Sequence, residues 1–213
     1  MKFITFIILF QLFITGVEAK TSYSKPHSNW HLNKIRKKVA KNSDVHKWAL
    51  KRAFAYYKKN QRKKSLSLNY LAIADYTKKS DKRRLYIINL YTGKVYRHKV
   101  AHGKKSGRRG GRVVHSSNRL NSHMTPYGFF KVGTWEGITA KKKYKFMTVK
   151  GLEWSNRKVG LPTRLGGRDI VLHTAKYVNG KGRSFGCFAI KPKDKTLVFK
   201  RLKNALFYSY TGR

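Results

Sequence analysis

Residues 169–190 read DIVLHTAKYVNGKGRSFGCFAI, and this stretch carries the clearest structural pattern in the chain. Two short apolar runs stand in it, one ending at His173 and one beginning at Cys187. The connection between them is rich in Gly and Lys. Short apolar runs bounded by glycine predict buried β-strands. We therefore expect two strands, with a histidine ending the first and a cysteine in the turn that opens the second.

Similar short runs recur along the chain between clusters of Gly, Asn, Ser and Lys. They predict further strands, so that the full set covers residues 70–74, 85–91, 95–101, 129–133, 145–151, 170–173, 187–190 and 197–208. Thr92-Gly93 predicts a tight hairpin between the second and third of these strands. Because no helical pattern interrupts them, we expect a mainly β, mainly antiparallel domain over residues 65–213.

The N-terminal residues divide into three predicted segments. Residues 1–19, MKFITFIILFQLFITGVEA, combine a basic start, an apolar run and a small-x-small ending, as in a secretory signal peptide cleaved after Ala19. The run is too interrupted for a membrane anchor, so no transmembrane segment is expected after cleavage. Residues 20–43 lack sustained periodicity and are predicted to be a flexible basic lead-in. An amphipathic helix is predicted within residues 44–64, from the spacing of Leu50, Ala53, Phe54 and Tyr57.

The composition limits the possible functions. The 213 residues include 50 Lys+Arg and 8 Asp+Glu, a formal net charge of +42, yet 40% of residues are hydrophobic. That apolar content excludes a wholly disordered basic tail. The few scattered carboxylates argue against a two-metal site or a paired-carboxylate glycosidase. The single cysteine excludes an internal disulfide and a multi-cysteine zinc site, and we expect neither a metal nor a cofactor.

His173 and Cys187 are the candidate reactive pair. A thiolate is the attacking form of cysteine, and a nearby imidazole is the usual means of producing it near neutral pH. The flexible backbone at Gly186 would allow close approach to a substrate carbonyl, and amides of the turn could stabilise an oxyanion. The alternative is structural, since a lone cysteine and a strand-end histidine are often core residues. The residues by themselves leave both interpretations open.

The chain closely resembles the murein L,D-transpeptidase catalytic-domain family, the YkuD-type cysteine enzymes of peptidoglycan, in the subgroup with a GRSxGC signature. That signature is present as GRSFGC at residues 182–187. Blocks at 73–96, 100–107, 116–130 and 173–178 follow the family's order. Phe188 stands where proline is common, and Thr174 where Gly or Ala is common. The resemblance implies a β-sandwich or barrel catalytic domain, here preceded by the N-terminal helix.

The resemblance also implies roles for individual residues. Cys187 would attack a tetrapeptide stem, release D-alanine and form a thioester that an amine resolves. His173 would be the base, oriented by the Thr174 carbonyl, and the amides of Gly186 and Cys187 would form the oxyanion hole. Arg183 and Ser184 would steady the turn. The remaining positions expected to line the substrate groove are His102, Gly103, Ser106, Gly107, Asn118, Ser122 and Gly128.

The positive charge is spread along the chain in several basic runs. It predicts attraction to anionic polymers of the cell envelope, beside peptidoglycan stem peptides as substrate. Nucleic acid would bind only non-specifically, and the predicted export to the periplasm or cell wall argues against it as a partner. Two alternatives stay open: an L,D-carboxypeptidase or endopeptidase using the same thioester, and a non-catalytic polycation that binds the wall. The four tryptophans are expected to pack in the core or at its rim.

Overall fold

A computed structural model describes residues 25–140 and 143–212. The signal peptide predicted for residues 1–19 lies outside the described residues, as does the beginning of the predicted lead-in. None of the helices within the described ranges combines the length and the apolar character needed to cross a membrane.

Strands dominate the described residues, which confirms the predicted mainly β class. The strands are β1 Tyr70–Asp75, β2 Leu85–Asn89, β3 Val95–His98, β4 His102–Gly103, β5 Gly128–Ile138, β6 Lys145–Gly151, β7 Val171–Thr174, β8 Arg183–Ser184, β9 Phe188–Ile190 and β10 Leu206–Tyr210. The α-helices are α1 Asn29–Asn42, α2 Lys47–Asn60 and α3 Lys195–Leu202.

Eight strands form one sheet in the order β3-β2-β1-β10-β5-β6-β7-β9. The two edge strands approach each other, because Val100, just after β3, bridges Ile190 in β9. The sheet is therefore nearly closed. It is also more mixed than predicted, since β1 pairs with β10 and β7 with β9 in parallel. The predicted hairpin is present, with β2 and β3 antiparallel and Gly93 at φ +73°.

Alternation along the strands gives the sheet two apolar faces. In β1, Ala72 and Ala74 belong to the cluster enclosed by the sheet, while Leu71 and Ile73 belong to the cluster beneath α1 and α2. A period of two places neighbouring residues on opposite faces. Because both faces of the sheet are covered at β1, successive residues of this strand are apolar, without polar alternation.

The predicted flexible lead-in is wrong for its later half, where α1 forms. Ser28 caps this helix by accepting a hydrogen bond from the His31 backbone N–H at 3.2 Å. Leu32, Ile35 and Val39 form the buried stripe of the helix and lie against α2 and the sheet. Only these three positions are apolar and buried among many Lys, Asn and His residues, which concealed the periodicity.

The second helix, α2, lies within the range 44–64 predicted for it and begins at Lys47. Just before it, the Asp44 carboxylate accepts from the Tyr86 hydroxyl at 2.9 Å and pairs with Lys78 and Arg97. These contacts hold the pKa of Asp44 below its usual value, against the opposing effect of burial. Asp44 therefore ties the chain before α2 to the sheet.

The predicted long strand over 197–208 is two elements, α3 and β10. Val198, Phe199 and Leu202 follow helical spacing and are fully buried. Asn204, with φ +57°, makes the turn between them. Helix α3 thus contributes to the enclosed core, and β10 becomes the central strand between β1 and β5.

Replacing Ile35 by Ala will test whether α1 is part of the fold. Ile35 is 4% exposed, so the substitution is expected to lower the free energy of unfolding by about 2–4 kcal/mol through lost burial and a cavity. The measurement is urea-induced unfolding, with circular dichroism as the signal that monitors it. Lys37→Ala on the exposed side of α1 is the control, and equal unfolding curves for the two variants would contradict the packing of α1.

Candidate active site

The parallel pairing of β7 with β9 brings His173 and Cys187 to one face of the sheet. Leu172 pairs with Phe188 and His173 with Ala189, so Cys187, immediately before β9, stands two positions back from the partner of His173. Residues two apart share a face, and such diagonal neighbours lie within reach of each other's side chains. Leu172 and Phe188 point to the opposite face, into the enclosed core.

A hydrogen bond to its neighbour's carbonyl orients His173. Nδ1 lies 2.9 Å from the Thr174 carbonyl oxygen, and since a carbonyl only accepts, Nδ1 carries the proton. The neutral ring therefore keeps the lone pair on Nε2. Tyr144 stacks on the imidazole with centroids 5.2 Å apart, and Tyr177 approaches edge-on at 6.4 Å. Burial lowers the pKa of His173, and the bond to Thr174 opposes that shift.

Cys187 is partly exposed to a cleft of about 500 Å³ that His173 also lines. Its Sγ lies 4.0 Å from the Asp169 carbonyl oxygen. Burial raises the pKa of the thiol, while the backbone at Val171 and, more weakly, the Arg168 guanidinium lower it. With the cysteine pKa raised and the histidine pKa lowered, the resting pair is a neutral thiol and a neutral imidazole.

The Ser184 hydroxyl closes the turn that carries Cys187. It donates to the Cys187 carbonyl oxygen at 2.7 Å and accepts from the Gly186 N–H at 3.0 Å. The Gly186 amide is therefore occupied and is not a free oxyanion donor in this structure, contrary to the expectation from sequence. Gly186 has φ +123°, and a Cβ there would lie 2.7 Å from the Met124 carbonyl oxygen, so the turn requires glycine.

Arg168 lies beneath this turn, and sequence reasoning missed it. Only 4% exposed, it donates from its two Nη atoms to the carbonyls of Ser117 and Met124. Burial lowers its pKa to about 10, and the cysteine opposes that shift. Among the described residues no carboxylate forms an ion pair with Arg168. A buried cation beside Cys187 stabilises the thiolate form of the thiol.

A model of the L,D-transpeptidase catalytic domain matches residues 41–210. The chain belongs to this family of peptidoglycan-acting enzymes. The solved structure of the helical cell shape determining protein Pgp2 from Campylobacter jejuni is similar at 18% identity and a TM-score of 0.42, covering 68% of this chain and 49% of that one. A mutant of Pgp2 gives 19% identity, a TM-score of 0.37, and coverage of 68% and 48%. This chain spans about half the length of those structures. No curated protein matches it.

In this L,D-transpeptidase-family domain, the segment 102–107, which was predicted to line the groove, instead packs against the turn that carries Cys187. Strand β4 pairs in parallel with β8, so His102 faces Arg183 and Gly103 faces Ser184. Ser106 Oγ accepts from the Thr125 N–H at 2.7 Å and is fully buried. Gly107, whose carbonyl accepts from Arg183, completes this support. None of the four upstream positions lines the cleft of Cys187.

His102 is also fully buried, with Nδ1 2.9 Å from the Arg84 guanidinium. Burial, and to a lesser extent the positive charge of Arg84, lowers the pKa of His102 to about 4. Neutral at physiological pH, it accepts from Arg84. Arg84 in turn donates to the Val100 carbonyl at 3.1 Å, so this pair joins the β4 segment to the sheet.

The other three predicted groove positions lie in the approach to β5, away from the cleft. Asn118 accepts from the Tyr127 N–H at 3.1 Å, and Ser122 Oγ accepts from the Met124 N–H at 3.4 Å. Gly128 begins β5 with φ +101°. The cleft is lined instead by aromatic residues that the sequence did not single out, namely Tyr144, Phe146, Tyr177 and Phe185.

Neither departure from the family pattern disturbs the candidate pair, His173 and Cys187. Phe188 is fully buried and packs on Phe207 with centroids 4.6 Å apart. Thr174 Oγ1 accepts from the Lys145 N–H at 3.2 Å, which links β7 to the start of β6. The Phe188 side chain therefore packs in the core, and the Thr174 side chain bonds to β6. The Thr174 carbonyl still accepts the hydrogen bond from His173 Nδ1.

Arg168→Met is expected to raise the pKa of the Cys187 thiol, because it removes the buried cation. The measurement is the rate of iodoacetamide alkylation of Cys187 against pH, which should shift to higher pH. Arg168→Lys retains the charge and should shift less, and Arg164→Met, exposed on a nearby loop, should leave the profile unchanged. If the Arg168→Met profile matches the wild type in a protein that unfolds at a normal temperature, the electrostatic role is wrong.

The imidazole of His173 is expected to titrate below the ordinary value of 6.5 because it is buried beside Tyr144. Tyr144→Ala exposes the ring to water and should move the midpoint back toward 6.5. The measurement is NMR titration of labelled histidine, with His173→Gln to assign the signal. A midpoint that Tyr144→Ala lowers further would contradict burial as the cause.

Proposed function

We propose that this protein is an exported peptidoglycan L,D-transpeptidase that forms a Cys187 thioester with a tetrapeptide stem, releases D-alanine and transfers the acyl group to an amine. The observation that carries this proposal is the shared cleft of His173 and Cys187, with His173 held in the tautomer that leaves Nε2 able to accept a proton. The apolar leader in residues 1–19 supports export.

In the first step, His173 Nε2 takes the thiol proton as Sγ attacks the stem carbonyl. A tetrahedral oxyanion forms, and its collapse breaks the C–N bond to D-alanine. The imidazolium returns the proton to the leaving amine, leaving a neutral thioester. Because the resting pair is neutral, proton transfer accompanies the attack, and Arg168 stabilises the negative charge that develops on sulfur.

In the second step, an acceptor amine attacks the thioester carbonyl and loses a proton to His173. The new amide forms as the C–S bond breaks, and the imidazolium returns its proton to the sulfur. The Thr174 carbonyl stabilises the imidazolium in both steps, since it accepts from Nδ1 throughout. A backbone carbonyl thus takes the place of the carboxylate in a Ser-His-Asp triad.

The cleft walls suit a peptide stem with carboxylate groups. Tyr144 and Tyr177 supply apolar surface around the histidine. At the rim, Phe185 is 63% exposed, and the Lys104 ammonium lies 4.3 Å from its ring centroid. A cation at that position attracts the stem's carboxylates toward the reacting thiol.

Cys187→Ala is expected to abolish D-alanine release from disaccharide-tetrapeptides, by about a thousandfold or more, because the nucleophile is lost. The measurement is mass spectrometry of the products and of intact protein, where the wild type should show a covalent adduct. Because the lowered pKa keeps His173 neutral at pH 6.5 and above, activity should hold down to that pH and decline only at lower pH, as His173 becomes protonated.

The products distinguish the remaining alternatives. Cross-linked dimers identify transfer, whereas shortened stems without dimers would replace it by an L,D-carboxypeptidase or endopeptidase. Wall binding by both the wild type and Cys187→Ala, with no product and no adduct from either, would overturn the enzyme proposal in favour of the non-catalytic polycation.

A further inference from the structure

A tryptophan stands exposed on a cationic surface away from Cys187. The tryptophans were predicted to pack in the core or at its rim, but all four are largely exposed: Trp30 71%, Trp48 60%, Trp135 63% and Trp154 80%. Trp154 differs from the others in its surroundings. It lies where two clefts of about 590 and 520 Å³ adjoin, and Arg157 lines both clefts with it. The Arg157 guanidinium lies 3.0 Å from the indole centroid and covers one face of the ring.

These two clefts together form what we term the Trp154 groove. Lys131 and Lys150 line the cleft of about 520 Å³. They stand directly opposite each other on the antiparallel strands β5 and β6. Like charges in that arrangement destabilise a sheet. Burial, and to a lesser extent the positive charge of Lys150, lowers the pKa of the Lys131 ammonium. The Lys131 ammonium donates to the Lys64 carbonyl at 3.0 Å, which holds it at the groove wall.

The acid in the same cleft, Glu153, forms no ion pair with these lysines among the described residues. Glu153 Oε2 accepts from the Phe129 N–H at 2.8 Å, and the Glu153 backbone N–H donates to Asn156 Oδ1 at 2.9 Å at the start of the short helical turn. Within residues 25–140 and 143–212, none of the ion pairs includes Lys131, Lys150 or Arg157. The cleft thus places two opposed lysines and Arg157 beside an exposed indole, a combination that suits an anionic ligand with a flat apolar face.

The Trp154 groove connects to the catalytic cleft in two ways. Strand β5 runs from Lys131 at the groove to Ile138 near the cleft, a span of about 20 Å. At the other end of the groove lies Ser117, whose carbonyl accepts from Arg168 beneath the cysteine turn. The groove and the catalytic cleft are therefore joined through β5 and through Arg168, at a separation that one extended polymer can span.

We propose that the Trp154 groove binds an anionic, sugar-containing polymer of the cell envelope at a second point, apart from the catalytic cleft. The free face of the Trp154 indole stacks on a sugar ring, and the lysines pair with carboxylate or phosphate groups along the chain. Occupying two sites on one polymer raises the effective concentration of stem peptides at Cys187. This binding does not require the thiol, so it goes beyond the proposed chemistry and can be tested without it.

The test uses Cys187→Ala protein, so that no substrate is consumed. Binding is measured to two probes, each at two salt concentrations. The first is sacculi stripped of other polymers, in which the stem carboxylates supply the charge. The second is a sugar-bearing glycerol phosphate polymer. The variants are Trp154→Ala and the double variant Lys131→Gln/Lys150→Gln. The matched control is Lys193→Gln/Lys200→Gln, which removes the same charge from exposed positions at α3. Single-stranded DNA is included because it also offers phosphates and flat rings.

Each groove variant is expected to weaken polymer binding about fivefold or more, and the control less than about twofold. The polymer whose binding depends on both groove variants identifies the source of the charge. Equal weakening by the control would overturn the proposal, since net charge alone would explain binding. So would unchanged binding by Trp154→Ala, or tighter and Trp154-dependent binding of DNA, which would assign the groove to nucleic acid.

Discussion

The parallel pairing of β7 with β9 is the constraint on which the site depends. It fixes His173 and Cys187 as diagonal neighbours on one face, while Leu172 and Phe188 anchor the same strands in the enclosed core. A shift of one residue in this register would turn the cysteine into the core and the packing residues toward the cleft. The relative placement of His173 and Cys187 is therefore fixed by the sheet.

Around that pairing, backbone carbonyls perform tasks that carboxylates often perform. The Thr174 carbonyl orients His173, and the carbonyls of Ser117 and Met124 hold Arg168. Arg84 likewise donates to the carbonyls of Val100 and Lys78. Carbonyls satisfy a donor without cancelling its charge. A chain with 50 Lys+Arg and 8 Asp+Glu can in this way order its buried cations and leave their field acting on the site.

Local patterns in the sequence predicted the elements whose apolar residues are dense. The strands around His173 and Cys187 were predicted because each is a continuous apolar run. Helix α1 was missed because its buried stripe is sparse, and α3 was predicted as a strand because Val198 and Phe199 suit either structure. Arg168 gave no signal, since one arginine among so many basic residues is not distinctive. The supporting role of Gly103 and Ser106 depends on the β4 and β8 pairing, which joins segments far apart in sequence.

The opposed pair Lys131 and Lys150 has a consequence for folding. Folding brings these ammonium groups together, and a net charge of +42 adds repulsion across the whole molecule. A polyanion that binds the folded surface more strongly than the unfolded chain relieves this repulsion and shifts the folding equilibrium by mass action. The envelope polymer proposed for the Trp154 groove would then be a stabilising ligand as well as a partner, and the protein would be most stable where that polymer is concentrated.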